Sequence, residues 1–206
     1  MNVLIVYNHP YEGSFCAAIL AAVTKGLLSA GHEIDLMHLD ADDFDPVMRS
    51  KDLRAFAMAR NDPEAAFALL DPRVQAYRDR LQAAEHIVFV FPIWWELMPA
   101  RMKGFVDKVI FPGIAYDYTE KGSTGMVSLL KRLKGVTVIT TMNTPWCLYW
   151  LIFGNAIQRA LMRGTFWKIG VKNRTWISLN NVKGQTQAKR QSWLTQIEGR
   201  MRGLPM

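Results

Sequence analysis

The sequence predicts an α/β fold: a doubly wound, open parallel sheet of five strands with helices on both faces, in one domain spanning residues 1–206. Strand-like and helix-like segments alternate five times, and parallel neighbours need crossover helices. Two of the strands, 86–91 and 136–141, are uninterrupted apolar or β-branched runs of the kind buried on both faces. With 206 residues, 50% hydrophobic and 21% charged, the chain can bury one substantial core and is too apolar for disorder.

Taken in order, Val3–Tyr7 is a buried strand that ends in Asn8-His9-Pro10. Ser14–Leu28 reads as a helix with Ser14 as cap and Ala30-Gly31 as stop. Glu33–Leu39 is the second strand. An irregular acidic stretch, Asp40–Asp45, leads into Pro46–Met58, helical in part. Pro72–Ala84 is a clearer helix, capped by Asp71 with Pro at its first turn. His86–Phe91 is the third strand, Pro92–Leu97 its loop and Pro99–Val109 the next helix. Pro112–Lys131 is rich in Gly, Tyr and Thr and shows no periodicity. Val136–Thr141 is the fourth strand, Cys147–Met162 a helix, Arg174–Leu179 the fifth strand and Gln185–Met201 the closing helix.

Composition narrows the function. The net charge is +7, but the basic residues are spread, without a zinc-finger spacing or a long basic run, and nucleic-acid binding is not expected. Cys16 and Cys147 make no disulfide framework and no metal-ligand spacing, so no metal is expected. MNVLIVYNHP lacks a basic leader and reads as a strand, so a cytoplasmic location is expected. Val136–Ile157 carries no charge and is long enough to cross a bilayer. Its β-branched start and its Asn143-Thr144-Pro145 break read instead as strand, turn and helix. Trp146, Trp150, Leu151 and Phe153 leave a peripheral membrane contact open.

Ligands of open α/β sheets bind beyond the carboxyl ends of the strands. Three loops meet there. The first, His9 to Cys16, enters a helix N-terminus, where free N–H groups and the dipole favour a phosphate. It has no GxGxxG and no Walker lysine, which disfavours a dinucleotide Rossmann site and a P-loop. The second, Pro92-Ile93-Trp94-Trp95, offers aromatic walls to a flat apolar ligand. The third, Thr140-Thr141-Met142-Asn143, offers hydroxyls and backbone amides.

These segments resemble the flavodoxin-like NAD(P)H:quinone oxidoreductases, including the modulator-of-drug-activity type and the ancillary subunits of potassium-efflux systems. The likeness is carried by VLIVYNHPYEGSF, DFDPVMRSKDL, FVFPIWWELMPARMKGFVDKV and GIAYDY, and loosens after Asn143. It implies a flavodoxin-like sheet of order 2-1-3-4-5, FAD as cofactor with FMN as alternative, NAD(P)H as electron donor and a quinone-like acceptor reduced by ping-pong hydride transfer. By the same resemblance His9, Ser14, Phe15 and Cys16 would wrap the flavin phosphates. Pro92, Ile93, Trp94 and Trp95 would line the ring, and Thr140 and Thr141 would stand at its far edge. Tyr116 and Tyr118 match tyrosines that cover the partner's site in dimeric relatives, which implies a homodimer; with Trp146 they are the acceptor-wall candidates. Tyr149 and Asn155 are approximate counterparts of residues that assist hydride transfer. The chain departs from the pattern at Glu96-Leu97, where relatives carry an aromatic and a Gly, and at Met142-Asn143, where they carry Gly-Gly. A regulatory subunit of a membrane transporter, with weak or no turnover, is the alternative.

Overall fold

The computed structural model describes residues 1–119 and 125–205; part of the 112–131 stretch therefore lies outside the described residues. Strands β1 (Asn2–Tyr7), β2 (Glu33–His38) and β3 (His86–Pro92) belong to one parallel sheet. A small antiparallel hairpin follows, β4 (Tyr116–Tyr118) with β5 (Met126–Ser128). The sheet resumes with β6 (Gly135–Thr141) and β7 (Asn173–Leu179), and its order is β2-β1-β3-β6-β7. Counted along the sheet's own strands that is 2-1-3-4-5, as expected.

Side-chain alternation along each strand divides the core in two. Val3, Ile5 and Tyr7 of β1, with Val88 and Val90 of β3, face helices α1 (Phe15–Ser29) and, far along the chain, Gln187–Arg202. Leu4, Val6, Ile87, Phe89 and Phe91 face the opposite layer. That layer holds α2 (Ser50–Met58), α3 (Pro63–Ala68), α4 (Pro72–Ala83), α5 (Ala100–Val109), the short α6 (Trp146–Leu151) and a π-helix, Gln158–Trp167. The Gln187–Arg202 helix is α7. Every residue of β3 and β6 is buried, while β7, an edge strand, is half-buried.

Caps behave as their chemistry requires. Ser14 Oγ accepts from Ala17 N–H at 3.1 Å, Asp71 from Arg73 N–H at 3.0 Å and Thr186 from Lys189 N–H at 3.2 Å. Two glycines mark close approaches. A Cβ on Gly26 would stand 2.5 Å from the Glu198 carbonyl of α7, and one on Gly104 2.3 Å from Pro46 Cα. The segment before α2 thus lies directly on α5. Beneath it Lys108, 2% exposed, donates to the carbonyls of Asp45 (3.1 Å) and Val47 (3.3 Å), 3.8 Å from the equally buried Asp52.

The sequence reading needs three corrections. Cys147–Met162 is not one helix: α6 stops at Leu151, and Gly154 and Asn155, at φ 71° and 54°, turn the chain into the π-helix. Asn tolerates the left-handed region well enough to end a helix there. The aperiodic stretch after Pro112 contains the β4–β5 hairpin, and a further helix, α3, capped by Asp62 with Pro at its first turn, lies between α2 and α4. No helix among the described residues is long and apolar enough to cross a membrane.

Candidate active site

The three loops do converge at the carboxyl ends of β1, β3 and β6. They border an open cleft of about 220 Å³ lined by His9, Phe15 and Cys16, by Pro92, Ile93 and Trp94, and by Thr141, Met142 and Asn143. Loop-to-loop bonds hold it together: Ile93 N–H donates to Thr141 O at 2.7 Å, and Cys16 Sγ lies 3.3 Å from Thr141 Oγ1. His9 and Trp94 meet edge to face across it, ring centres 6.0 Å apart. Small-molecule sites commonly run to about 300–1,000 Å³, so this cleft is a small slot. Larger hollows lie elsewhere, about 670 Å³ beside Arg163, Arg174 and Trp176, and about 500 Å³ at the amino ends of the strands beside His86.

Two residues that line the slot suit an anion. His9 Nδ1 accepts from Tyr11 N–H at 3.1 Å, which leaves the proton of the neutral ring on Nε2 as a donor. Burial holds His9 below the usual imidazole range, so the ring is neutral near pH 7. The cation comes from a loop missed in the sequence, β7–α7, which contributes Val182 and Lys183. Lys183 N–H donates to Asn143 Oδ1 at 3.1 Å, and Val182 N–H to Met142 O at 3.2 Å. The signal was available: a fifth parallel strand delivers its loop to the same rim as the others. Cys16 is no nucleophile, since burial pushes its thiol up to about 11.

Several expected residues are placed differently. Thr140 has no exposure and its hydroxyl accepts from Trp176 Nε1 at 3.0 Å, on the sheet face away from the slot. Alternation gives the slot only one of the two threonines. Met142 lines the slot, but its N–H is bonded to Leu179 O, so no free amide is offered there. Ser14 stays at its capping post. Trp95 is 97% exposed. It and Glu96 take φ 49° and 63°, between mutual Trp94–Leu97 backbone bonds of 2.9 and 3.1 Å, the form of a type I′ turn. Non-glycine residues in that region cost on the order of 1 kcal/mol each.

Surrounding bonds hold this turn. Glu96 accepts from the Thr144 hydroxyl at 2.8 Å, and its carbonyl accepts from Tyr149 Oη–H at 3.1 Å. The Tyr149 oxygen in turn accepts from Ile157 N–H at 3.0 Å. Tyr149 is fully buried and burial raises its phenol, so both capacities of the neutral hydroxyl are spent on backbone groups. It braces the turn and the α6–π-helix junction instead of reaching into the slot. Asn155 is at that junction, its N–H bonded to Tyr149 O at 2.9 Å. Its Oδ1 and Glu96 Oε2 are buried without partners. Tyr116 and Tyr118 pack edge to face at 5.8 Å on the hairpin, and Trp146 leans on Trp176 at 5.5 Å; none of the three lines the slot. Among the described residues no cluster could hold a metal ion.

Comparison with known proteins bears on this arrangement. Residues 1–200 match the model of a family described as "Flavodoxin-like fold". The chain is 30% identical over 145 residues to NAD(P)H dehydrogenase [quinone] 1 of Cavia porcellus, which covers 65% of this chain and 52% of that protein. It thus spans about half the length of that relative. It is 27% identical over 164 residues to the FMN-dependent NADH:quinone oxidoreductase of Alcanivorax borkumensis, covering 75% and 81%. Among solved structures, an NAD(P)H:quinone oxidoreductase from Methanothermobacter marburgensis superposes with a TM-score of 0.85 at 25% identity, covering 100% and 99%.

Proposed function

The chain belongs to the flavodoxin-like fold family, and on that footing we propose that it is a flavin-dependent NAD(P)H oxidoreductase that reduces quinones or similar flat acceptors. The observation that carries this reading is the convergence of the loops after β1, β3, β6 and β7 on one slot, where Pro92, Ile93 and Trp94 stand beside the neutral donor His9 and the cation Lys183. The residues fit a flavin. Pro92, Ile93 and Trp94 would flank the ring, with Thr141 and Asn143 at its far edge. His9 Nε2–H, the N–H groups at the start of α1 and Lys183 would hold the phosphate. The small slot and the FMN dependence named for the Alcanivorax relative favour FMN over FAD.

When bound, the flavin supplies the hydride relay. The chain's own part would be to place the ring against Pro92, Ile93, Trp94 and Thr141. Donor and acceptor would use the same opening of the slot in turn, and ping-pong kinetics are expected. Neither Tyr149, engaged with backbone on both sides, nor Asn155 is assigned proton transfer. Tyr116 and Tyr118 do not reach their own slot, which suits a homodimer in which each copy's hairpin covers the other's site.

The test is direct. Purified protein, or apoprotein given FMN or FAD, is examined by absorption and by mass analysis of the released cofactor, then assayed for NADH and NADPH oxidation with a water-soluble quinone. Stoichiometric flavin with quinone-dependent turnover and parallel double-reciprocal lines is the expected result. A chain that takes up neither flavin refutes the reading.

A further inference from the structure

The sheet face under α1 and α7 changes character at one corner. Over most of it the strands present aliphatic side chains: Val88 and Val90 from β3, Ile139 from β6, Ile177 and Leu179 from β7. Alternation carries the same face back, two residues at a time, to His86, to Thr137 and Gly135, and to Thr175 and Asn173. Register sets them side by side, His86 opposite Gly135, Gly135 opposite Asn173 and Thr137 opposite Thr175. Where packing against a helix asks for apolar groups, this corner offers hydroxyls, an amide and an imidazole. Asn173 and Thr175 are exposed. The corner opens into the hollow of about 500 Å³, walled on one side by Leu204 and Pro205 beyond the end of α7. That volume is within the range of small-molecule sites, and neither the hairpin nor the π-helix contributes to its lining. Gly135 keeps it open: a Cβ there would stand 3.1 Å from the Asn173 carbonyl oxygen and 3.2 Å from His86 Cε1. Glycine weakens a strand and often marks a place where a ligand or another backbone comes close.

His86 is only 8% exposed. Its Nε2 is 2.9 Å from Thr137 Oγ1. No described residue bonds its Nδ1, yet that atom is not sealed away as both nitrogens of His32 are. Since His86 lines the hollow, Nδ1 opens into it. The Thr137 hydroxyl can donate to Nε2 or accept from it, so Nδ1 serves as donor or acceptor accordingly. Burial holds the ring neutral, its imidazole pushed down to about 4. Lys134, at the rim, is matched by Glu85 at 3.0 Å. Asn173 Nδ2 is spent on the Lys134 carbonyl at 3.1 Å, which leaves Oδ1 as an acceptor. The hollow thus presents neutral polar atoms of both senses and no unmatched charge among the described residues.

We propose that this hollow is a second ligand site, for a small uncharged molecule that carries a carboxamide edge on an apolar body. The carboxamide N–H donates to Asn173 Oδ1, its oxygen accepts from the Thr175 hydroxyl or the His86 ring, and the body lies against Leu204 and Pro205. A carboxylate brings no donor for Asn173 Oδ1. An ammonium brings no acceptor and stands against Lys134. Either would give up its hydration where no opposite charge is free. Slot and hollow lie at opposite ends of the same strands, β3 from His86 to Pro92 and β6 from Gly135 to Thr141, about 20 Å apart. One can be filled without blocking the other.

Benzamide, benzoate and benzylammonium share one body and differ in charge. Full-length protein with ¹³C-labelled histidine has four imidazoles to observe, His9, His32, His38 and His86, and each probe is titrated against them by NMR at pH 7.5. Benzamide is expected to shift the His86 signal saturably with a Kd of about 1 mM, ordinary for a probe of this size, and to leave His9, in the slot, unmoved. Saturating FMN should not alter that constant. Benzoate and benzylammonium should bind at least about tenfold more weakly. Asn173→Ala should weaken benzamide about fivefold, the worth of one neutral hydrogen bond. Thr175→Trp, at an exposed position, should fill the hollow and abolish saturation. Both variants should keep the apoprotein's unfolding midpoint. No saturable shift of His86, a charged probe binding as well as benzamide, a response at His9 instead, or binding retained in Thr175→Trp would overturn the proposal. The titration needs no flavin, so its failure and that of the catalytic reading are told apart.

Discussion

Replacing Tyr149 by Phe separates bracing from catalysis. The change removes one oxygen and leaves the ring in place. Two backbone groups lose their partner: the Glu96 carbonyl, which accepted at 3.1 Å, and the Ile157 N–H, which donated at 3.0 Å. Ile157 has no exposure, so water cannot replace the acceptor it loses. Two neutral hydrogen bonds at about 1 kcal/mol each, with a desolvated N–H left unpaired, amount to about 2–3 kcal/mol. For a chain of this size that lowers Tm by about 4–10 °C. Urea unfolding followed by tryptophan fluorescence, beside steady-state turnover of flavin-loaded protein, measures both quantities. Stability is expected to fall by that amount while kcat changes less than about tenfold, the effect of a looser Trp95–Glu96 turn. Loss of a proton-transfer group would instead cost about 10²–10⁴ in rate. A Tyr149→Phe protein of native stability and a rate lower by hundredfold or more would refute the bracing assignment.

Further outcomes follow from other contacts. Lys108→Met strands the buried Asp52 carboxylate, whose Oδ2 keeps only the Arg49 N–H at 2.8 Å, and should cost about 3–5 kcal/mol in denaturant titrations; Lys108→Met with Asp52→Leu should recover most of it. His86 is held neutral by burial, its imidazole pushed down to about 4 from 6.5. The unfolded chain therefore binds the extra proton between those values, so stability is full above about pH 6.5 and falls as pH drops toward 4, by up to about 3 kcal/mol. Unfolding titrations from pH 7 to 4 should show this slope, and His86→Asn should flatten it. Lys183→Glu, at an exposed position of the slot, should weaken FMN binding about tenfold or more in fluorescence titrations, with the apoprotein's midpoint unchanged.

The sheet was legible because its signal is redundant. The β3 and β6 runs are long, apolar and flanked by turn residues, and burial on both faces is what such runs need. The slot's position followed from topology alone. What escaped was local. Thr140 and Thr141 look equivalent in the sequence, yet a period of two sends one to Trp176 and the other to Cys16. Trp95 reads as a ring wall and is instead a turn residue, because its role depends on a backbone shape that Glu96 and Tyr149 enforce from outside. The apolar run from Trp146 to Met162 hid its break because Gly154-Asn155 is a brief stop in a segment without charge. Lys183 carries no local signal: its place in the slot follows only from β7 ending at the same rim as the other parallel strands.

The close approach of α1 and α7 at Gly26 has a consequence for synthesis. The helix that covers Val3, Ile5, Val88 and Val90 alongside α1 is drawn from residues 187–202. A growing chain can therefore lay down β1, β2 and β3 while half of one sheet face stays bare. That face can be sealed only when the segment carrying Ile197 and Met201 has left the ribosome tunnel. During that interval the nascent protein presents an aliphatic surface that a chaperone can hold. Variants that slow the docking of α7, a bulkier residue at Gly26 first among them, should lengthen the dwell on such a holdase before they alter the finished protein's chemistry.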